Sequence, residues 1–379
     1  MGLAFVVGAS AARLAAQGPV APEPPRVDLP YQAEARDPIT HEVDFSAVVT
    51  PPYGCKVLKV WLPLPQSDAG QQIDASRLST FPDQVEPVIG VEPVFGNKFA
   101  YFEFREPVGA QVVRHRFTAK VWELRWDLDA GRVGDVAQWP EAFQPYLKPQ
   151  EMVAKGEFDR VLSGIVPRRD GAANDLRKVI EWIAANLTYD HAHASLRADA
   201  NHAFQWRRGH CSDYHGLCAT MGQTLGYPAR VTYGLSLVPK NSPSHCKLEA
   251  FFPSYGWVSF DLSETQKMIQ GIYDDSNLSA DRKETLARAA RERLHRGFRE
   301  NSWLLLTKGT DYELAPKASR PVRVVRTIYA EADGEALPEP DPANPGKREF
   351  AWMTIHQYAH DKPFKLPFKD PTTLEEDVR

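Results

Sequence analysis

Gly209-His210-Cys211-Ser212-Asp213-Tyr214-His215-Gly216-Leu217-Cys218-Ala219-Thr220-Met221-Gly222-Gln223-Thr224-Leu225-Gly226-Tyr227-Pro228 puts a thiol at the head of an apolar-periodic stretch. Leu217, Cys218, Met221 and Leu225 recur at three- and four-residue steps, and Gly226 followed by Pro228 supplies a stop. Residues 211 to 225 therefore read as a helix with Cys211 as its first residue or cap. A thiol there faces unpaired backbone N–H groups and the positive end of the helix dipole, which favour thiolate and lower its pKa. His245 follows, and then Gly256-Trp257-Val258-Ser259-Phe260-Asp261. Thiol, imidazole and carboxylate in this order are the parts that nucleophilic thiol catalysis requires.

The segments beyond the helix read as strands. Val231, Tyr233, Leu235 and Leu237 alternate, and two further runs, Lys247 to Phe252 and Trp257 to Leu262, flank Pro253-Ser254-Tyr255-Gly256 as a hairpin. If Phe251 faces Trp257, then Glu249 faces Ser259, Lys247 faces Asp261 and His245 faces Ser263. That register makes His245 and Asp261 diagonal neighbours on one face, within reach of an imidazole–carboxylate hydrogen bond. A loop with an even number of residues would send Asp261 to the other face, so an odd-length loop or a bulge is expected.

Four landmarks together resemble the core of the transglutaminase-like superfamily: Gly209 to Asp213, Leu225-Gly226-Tyr227-Pro228-Ala229-Arg230, His245 with Glu249, and Gly256 to Asp261. The resemblance covers mainly residues 170 to 265, with weaker likeness at Pro63-Leu64-Pro65 and at Leu306 to Asp311. It implies a papain-like α+β fold in which the nucleophile's helix packs on an antiparallel sheet. It also implies Cys211 as nucleophile, His245 as general base and acid, and Asp261 as the group orienting the imidazole. The position two after the histidine, often aromatic in this family, is Lys247 here. The family's oxyanion site often adds an upstream side-chain donor to the nucleophile's own N–H. Tyr189 and Trp206 both carry a suitable donor hydrogen, and spacing does not choose between them.

Blander readings attach to the neighbouring residues. Cys218, two helical turns on, is a packing thiol, and strand alternation turns Cys246 to the face opposite His245. His210 and His215 read as ordinary polar neighbours of the site. Cys211, His215 and Cys218 share a helix face with His210 adjacent, which invites a zinc reading. Structural zinc sites, however, usually draw pairs of ligands from separate elements, so neither a metal nor a cofactor is expected.

The 379 residues leave room for two to three domains, and a net charge of −4 gives no electrostatic reason to expect nucleic acid. Residues 1–27 read as a leader. Its apolar Gly2 to Ala12 resembles a signal peptide lacking its basic start, which suggests export to the periplasm or beyond, with a cytoplasmic protein as the alternative. Residues 28–135 carry alternating strand patterns and read as a β-sandwich domain. Residues 136–335 form the expected catalytic domain, with an inserted, solvated basic helix near 279–298. Residues 336–379 read as a Pro-rich linker and tail. No run is long and apolar enough for a membrane span. The expected function is that of a cysteine-dependent acyl enzyme acting on peptide or protein amide bonds through a thioester. Water is the default acceptor, transfer to amines is possible, and a non-catalytic peptide-binding module is the alternative. The residues say nothing of oligomeric state.

Overall fold

In the computed structural model, residues 24–240, 242–340 and 351–377 are described. The apolar segment Gly2 to Ala12, and with it the reading as a signal peptide, lies outside them. The amino-terminal part consists of β1 (Glu34–Val49), β2 (Val57–Leu64), β3 (Gln71–Phe81), β4 (Val88–Val91), β5 (Lys98–Arg105) and β6 (Gln111–Arg125). The strand-only pattern ends there. Next come α1 (Lys155–Ile165), α2 (Ala172–Asn186), β7 (Thr188–Tyr189), α3 (Ala200–Trp206), β8 (Arg208–Gly209) and α4 (Cys211–Thr224). They lead into β9 (Ala229–Ser236), β10 (Ser244–Phe252), β11 (Gly256–Phe260), α5 (Leu262–Asp274) and α6 (Ala280–Arg296). The chain closes with β12 (Phe298–Arg299), β13 (Trp303–Lys308), β14 (Tyr329–Ala332), β15 (Glu335–Ala336) and β16 (Trp352–His360).

Two sheets form the sandwich. One runs β12-β6-β1-β16, with β3 also on β6; the other runs β15-β14-β2-β5-β4. Alternate residues of β1, β2, β5 and β6, among them Phe45, Val60, Phe102 and Val121, are buried in one apolar cluster between the sheets. Period-two alternation puts those side chains on the inner faces. Leu235 on β9 and Leu304 and Leu306 on β13 join the same cluster, so the sandwich and the following sheet share a core.

That following sheet has the antiparallel order β11-β10-β9-β13. Helix α4 lies over it: Leu217, Cys218 and Met221 are buried with Leu248 and Val231 of the sheet and with Leu176, Val179 and Ile183 of α2. The fold is α+β, a papain-like helix-on-sheet core preceded by a strand-rich sandwich. The hairpin register is the expected one, with Phe251 opposite Trp257 and Glu249 opposite Ser259. The three residues Pro253-Ser254-Tyr255 form its odd-length loop, and Gly256 follows at φ 67°. Buried Glu249 accepts hydrogen bonds from Tyr31 Oη at 2.8 Å and Arg230 Nε at 2.7 Å, tying the segment before β1 to this sheet.

Several expectations differ from the structure. Within the expected catalytic domain, the β-branched stretch from Val322 becomes a strand only at Tyr329, where it pairs with β2 of the sandwich. The tail supplies β16, which pairs along β1 from His41↔His360 to Val49↔Trp352. The basic helix α6 is not wholly solvated: Arg293 is buried and bonds Asp377, the Pro367 carbonyl and Thr373 of the tail. The Pro-rich joint at 341–350 lies outside the described residues. Among the described residues no helix is long and apolar enough to cross a membrane.

Candidate functional site

Helix α4 begins in a capping box. His210 holds the extended N-cap conformation and its Nδ1 accepts from the Ser212 N–H at 3.3 Å. The Asp213 carboxylate accepts from the His210 N–H at 3.0 Å and also takes the Ser195 hydroxyl. Orphan N–H groups at a helix start are satisfied this way, which fixes the direction from which the chain enters. Gly209 sits at φ 151°, and a Cβ there would run into the Asp213 side chain. Cys211 is consequently the first helical residue, held in a rigid corner.

Tyr189 reaches this corner through a two-residue parallel ladder, Thr188↔Arg208 and Tyr189↔Gly209. Lys267 Nζ lies 4.3 Å from the centre of its ring. Burial, and then the charge of Cys211, push the phenol pKa well up, so it stays a protonated donor. Trp206 ends α3 and is 58% exposed, away from the cavity that Cys211 lines. Of the two upstream donors left open by spacing, only Tyr189 is brought to the thiol.

His245 Nε2 lies 2.6 Å from Asp261 Oδ2, and both residues are buried. Asp261 is also the N-cap of α5, its Oδ1 accepting from the Glu264 N–H at 3.0 Å and the Ser263 hydroxyl at 3.2 Å. Burial lowers the His245 pKa, but the Asp261 carboxylate and the Cys211 thiolate outweigh it and bring it to about 9. The neighbouring Cys246 thiol, against burial and with the help of His210 and His245, holds the Cys211 pKa well below its ordinary value. Thiolate and imidazolium are thus the favoured pair.

These groups open on one cavity of about 260 Å³ lined by Tyr189, Cys211, Tyr233, His245 and Cys246. A wider groove of about 830 Å³ runs past Ala219, Thr220 and Gln223 at the other end of α4 and contains none of the three. Volume and chemistry part company here, and the chemistry decides.

Two neighbours were undervalued by sequence. Cys246 does point away from the face of Lys247, but that other face carries α4, and its sulfur lies 3.5 Å from His215 Nδ1. His215 accepts the Leu262 N–H on Nε2 at 3.1 Å, so both of its nitrogens are engaged, and burial lowers its pKa to about 4. Lys247 is fully buried, with Nζ 2.6 Å from Asp261 Oδ2 and 2.8 Å from Glu300 Oε2. Its departure from the usual aromatic was the signal that could have found it.

Residues 161–262 match the family profile described as transglutaminase-like superfamily. A crystal structure of a candidate cysteine protease from Cytophaga hutchinsonii has 13% identity and a TM-score of 0.58, covering 89% of this chain and 96% of its own. The periplasmic domain of TgpA from Pseudomonas aeruginosa, also 13% identical, covers 62% of this chain and 91% of its own at a TM-score of 0.32. No curated protein matches the sequence. The first of these likenesses extends the shared fold across nearly the whole chain, and the profile match makes residues 161–262 similar to the transglutaminase-like superfamily core.

Proposed function

We propose that the protein is a cysteine-dependent acyl enzyme that cleaves amide bonds of peptide or protein substrates. The observation that carries this reading is the buried 2.6 Å His245–Asp261 pair, whose imidazole lines the same cavity as a thiol at a helix start. The Cys211 thiolate adds to the substrate carbonyl carbon, forming the C–S bond while the carbonyl electron pair moves to oxygen. The N–H of Cys211 and the Tyr189 hydroxyl stabilise that oxyanion. Collapse breaks the C–N bond, and the departing amine takes the proton from His245. Water then attacks the thioester, giving its proton back to His245 and releasing the acid and the thiolate. Asp261 keeps the imidazole oriented throughout. Water is the default acceptor, since excluding it in favour of an amine requires a dry, shaped tunnel.

Alkylation of the four cysteines near neutral pH tests the reading. Cys211 should label fast in the native protein and slowly in H245A, and cleavage of a peptide library should vanish in C211A. Uniformly slow labelling of all four thiols would indicate a groove that binds peptides without chemistry.

A further inference from the structure

Resting on the assignment of Cys211 and His245 as a reacting pair, a further role falls to a residue beside them. We propose that Lys247 is a positioning residue whose ammonium shares Asp261 Oδ2 with His245, locking the carboxylate in place and tempering its pull on the imidazolium. The geometry is specific. Lys247 Nζ and His245 Nε2 each lie 2.6 Å from one oxygen, so the two cationic nitrogens are no more than about 5 Å apart. The other oxygen of Asp261 is occupied by the first turn of α5, leaving the carboxylate no room to rotate.

The lysine itself cannot swing away. Glu300 holds its Nζ at 2.8 Å, and the rings of Trp303 and Phe368 lie 5.2 and 5.1 Å from it. Burial alone would favour a neutral amine, but Asp261 and Glu300 keep it charged. A second cation on the same oxygen disfavours the imidazolium, so its proton is released to a departing amine more readily than from an unshared aspartate. A lysine whose ammonium did not reach that oxygen would leave the proton affinity of His245 nearly as it is.

His245 also shares its surroundings with His210, Cys211 and His215 of α4 and its cap, Tyr189 and His191 at the end of β7, Tyr233 and Lys240 of β9 and beyond, Cys246 of β10, Asp261, Glu264 and Lys267 at α5, Glu300 before β13, Arg326 before β14 and Lys369 of the tail, and all but the groups changed below stay constant across the variants. The sign of each perturbation can therefore be assigned. Removing Lys247 takes away a positive neighbour and raises the pH at which His245 deprotonates. Neutralising Glu300 leaves Lys247 less compensated and lowers it.

The readout is the pH dependence of Cys211 alkylation by iodoacetate, an anion drawn in by the imidazolium, so the rate falls as His245 loses its proton. The native protein should give a bell whose alkaline limb lies near pH 9. K247M should move that limb up by about one pH unit, K247R should leave it in place, and E300Q should move it down. The double variant K247M/E300Q, which leaves no orphaned carboxylate at position 300, should lie above E300Q and decides the matter if K247M does not fold. An alkaline limb that is unmoved, or that moves down on loss of the lysine, overturns the proposal while leaving the thiol–imidazole pair standing. Absence of any bell in the native protein instead removes the pair itself.

Discussion

At the scale of single residues, the Cys211 pKa is lowered by a neighbour that alternation had turned away. A strand's period of two tells which side chains share a face; it does not tell what packs on that face. Here α4 covers the face of Cys246, so the residue excluded by parity ends beside the nucleophile. C246A should raise the Cys211 pKa and move the acid limb of its alkylation profile up by about one pH unit, whereas C246S keeps a donor and holds the limb near its native position. A pH profile of labelling that is identical in C246A and native protein would refute this. The oxyanion donor separates in the same way: Y189F should lower kcat by about 100-fold with KM little changed, and exposed Trp206 should tolerate alanine with activity intact. That His245 and Asp261 share a face was legible in the sequence, because hairpin parity converts a three-residue loop into a shared face.

At the scale of elements, the start of α4 is the part on which the site is built. Its first twelve residues are all buried, enclosed by α2, α3, α5 and the sheet, which is why its apolar stripe marked a helix but not a single buried side. The entry corner needs a backbone without Cβ at Gly209, where φ is 151° and Asp213 caps from beneath. G209A should therefore cost about 2 kcal/mol of stability from strain and a displaced cap, seen as a lower urea midpoint, with alkylation of Cys211 slowed even where the protein remains folded. G226A, in open space beyond the helix at φ 81°, should cost less, about 1 kcal/mol, and leave labelling unchanged. Equal effects of the two would show that the corner does nothing for the thiol. The strand β16 was illegible for a different reason. Its partner β1 lies some three hundred residues earlier, and Met353 and Ile355 stand exposed on an edge, so no local pattern announces a buried face.

For the whole molecule, buried histidines set the response to acid. His41, His115, His215 and His295 each have a pKa lowered to about 4, with burial the largest cause in every case. Unfolded, each would titrate near 6.5. Between those values the unfolded chain binds protons that the folded chain refuses, so stability is fullest above about pH 6.5 and is lost as pH falls towards 4. His245 has the opposite sign. Raised to about 9, it contributes stability below its unfolded pKa that disappears as pH rises through 9. The two trends cross near pH 6.5 to 7, where the urea midpoint should be highest. Each of the four could withdraw up to about 3 kcal/mol at pH 4, together comparable with the 5–15 kcal/mol of a typical fold. Unfolding should therefore set in by about pH 5. His41 gives the loss a place: its Nδ1 meets His360 Nδ1 at 2.9 Å between β1 and β16, and protonation of both rings leaves two donors face to face. The strand β16, rather than the following tail that Arg293 and Asp377 clamp, should then be the first element to lose amide protection as pH drops from 6.5 to 5. Hydrogen exchange that shows β16 as well protected at pH 5 as at pH 7, with an unshifted urea midpoint, would contradict the histidine account of acid lability.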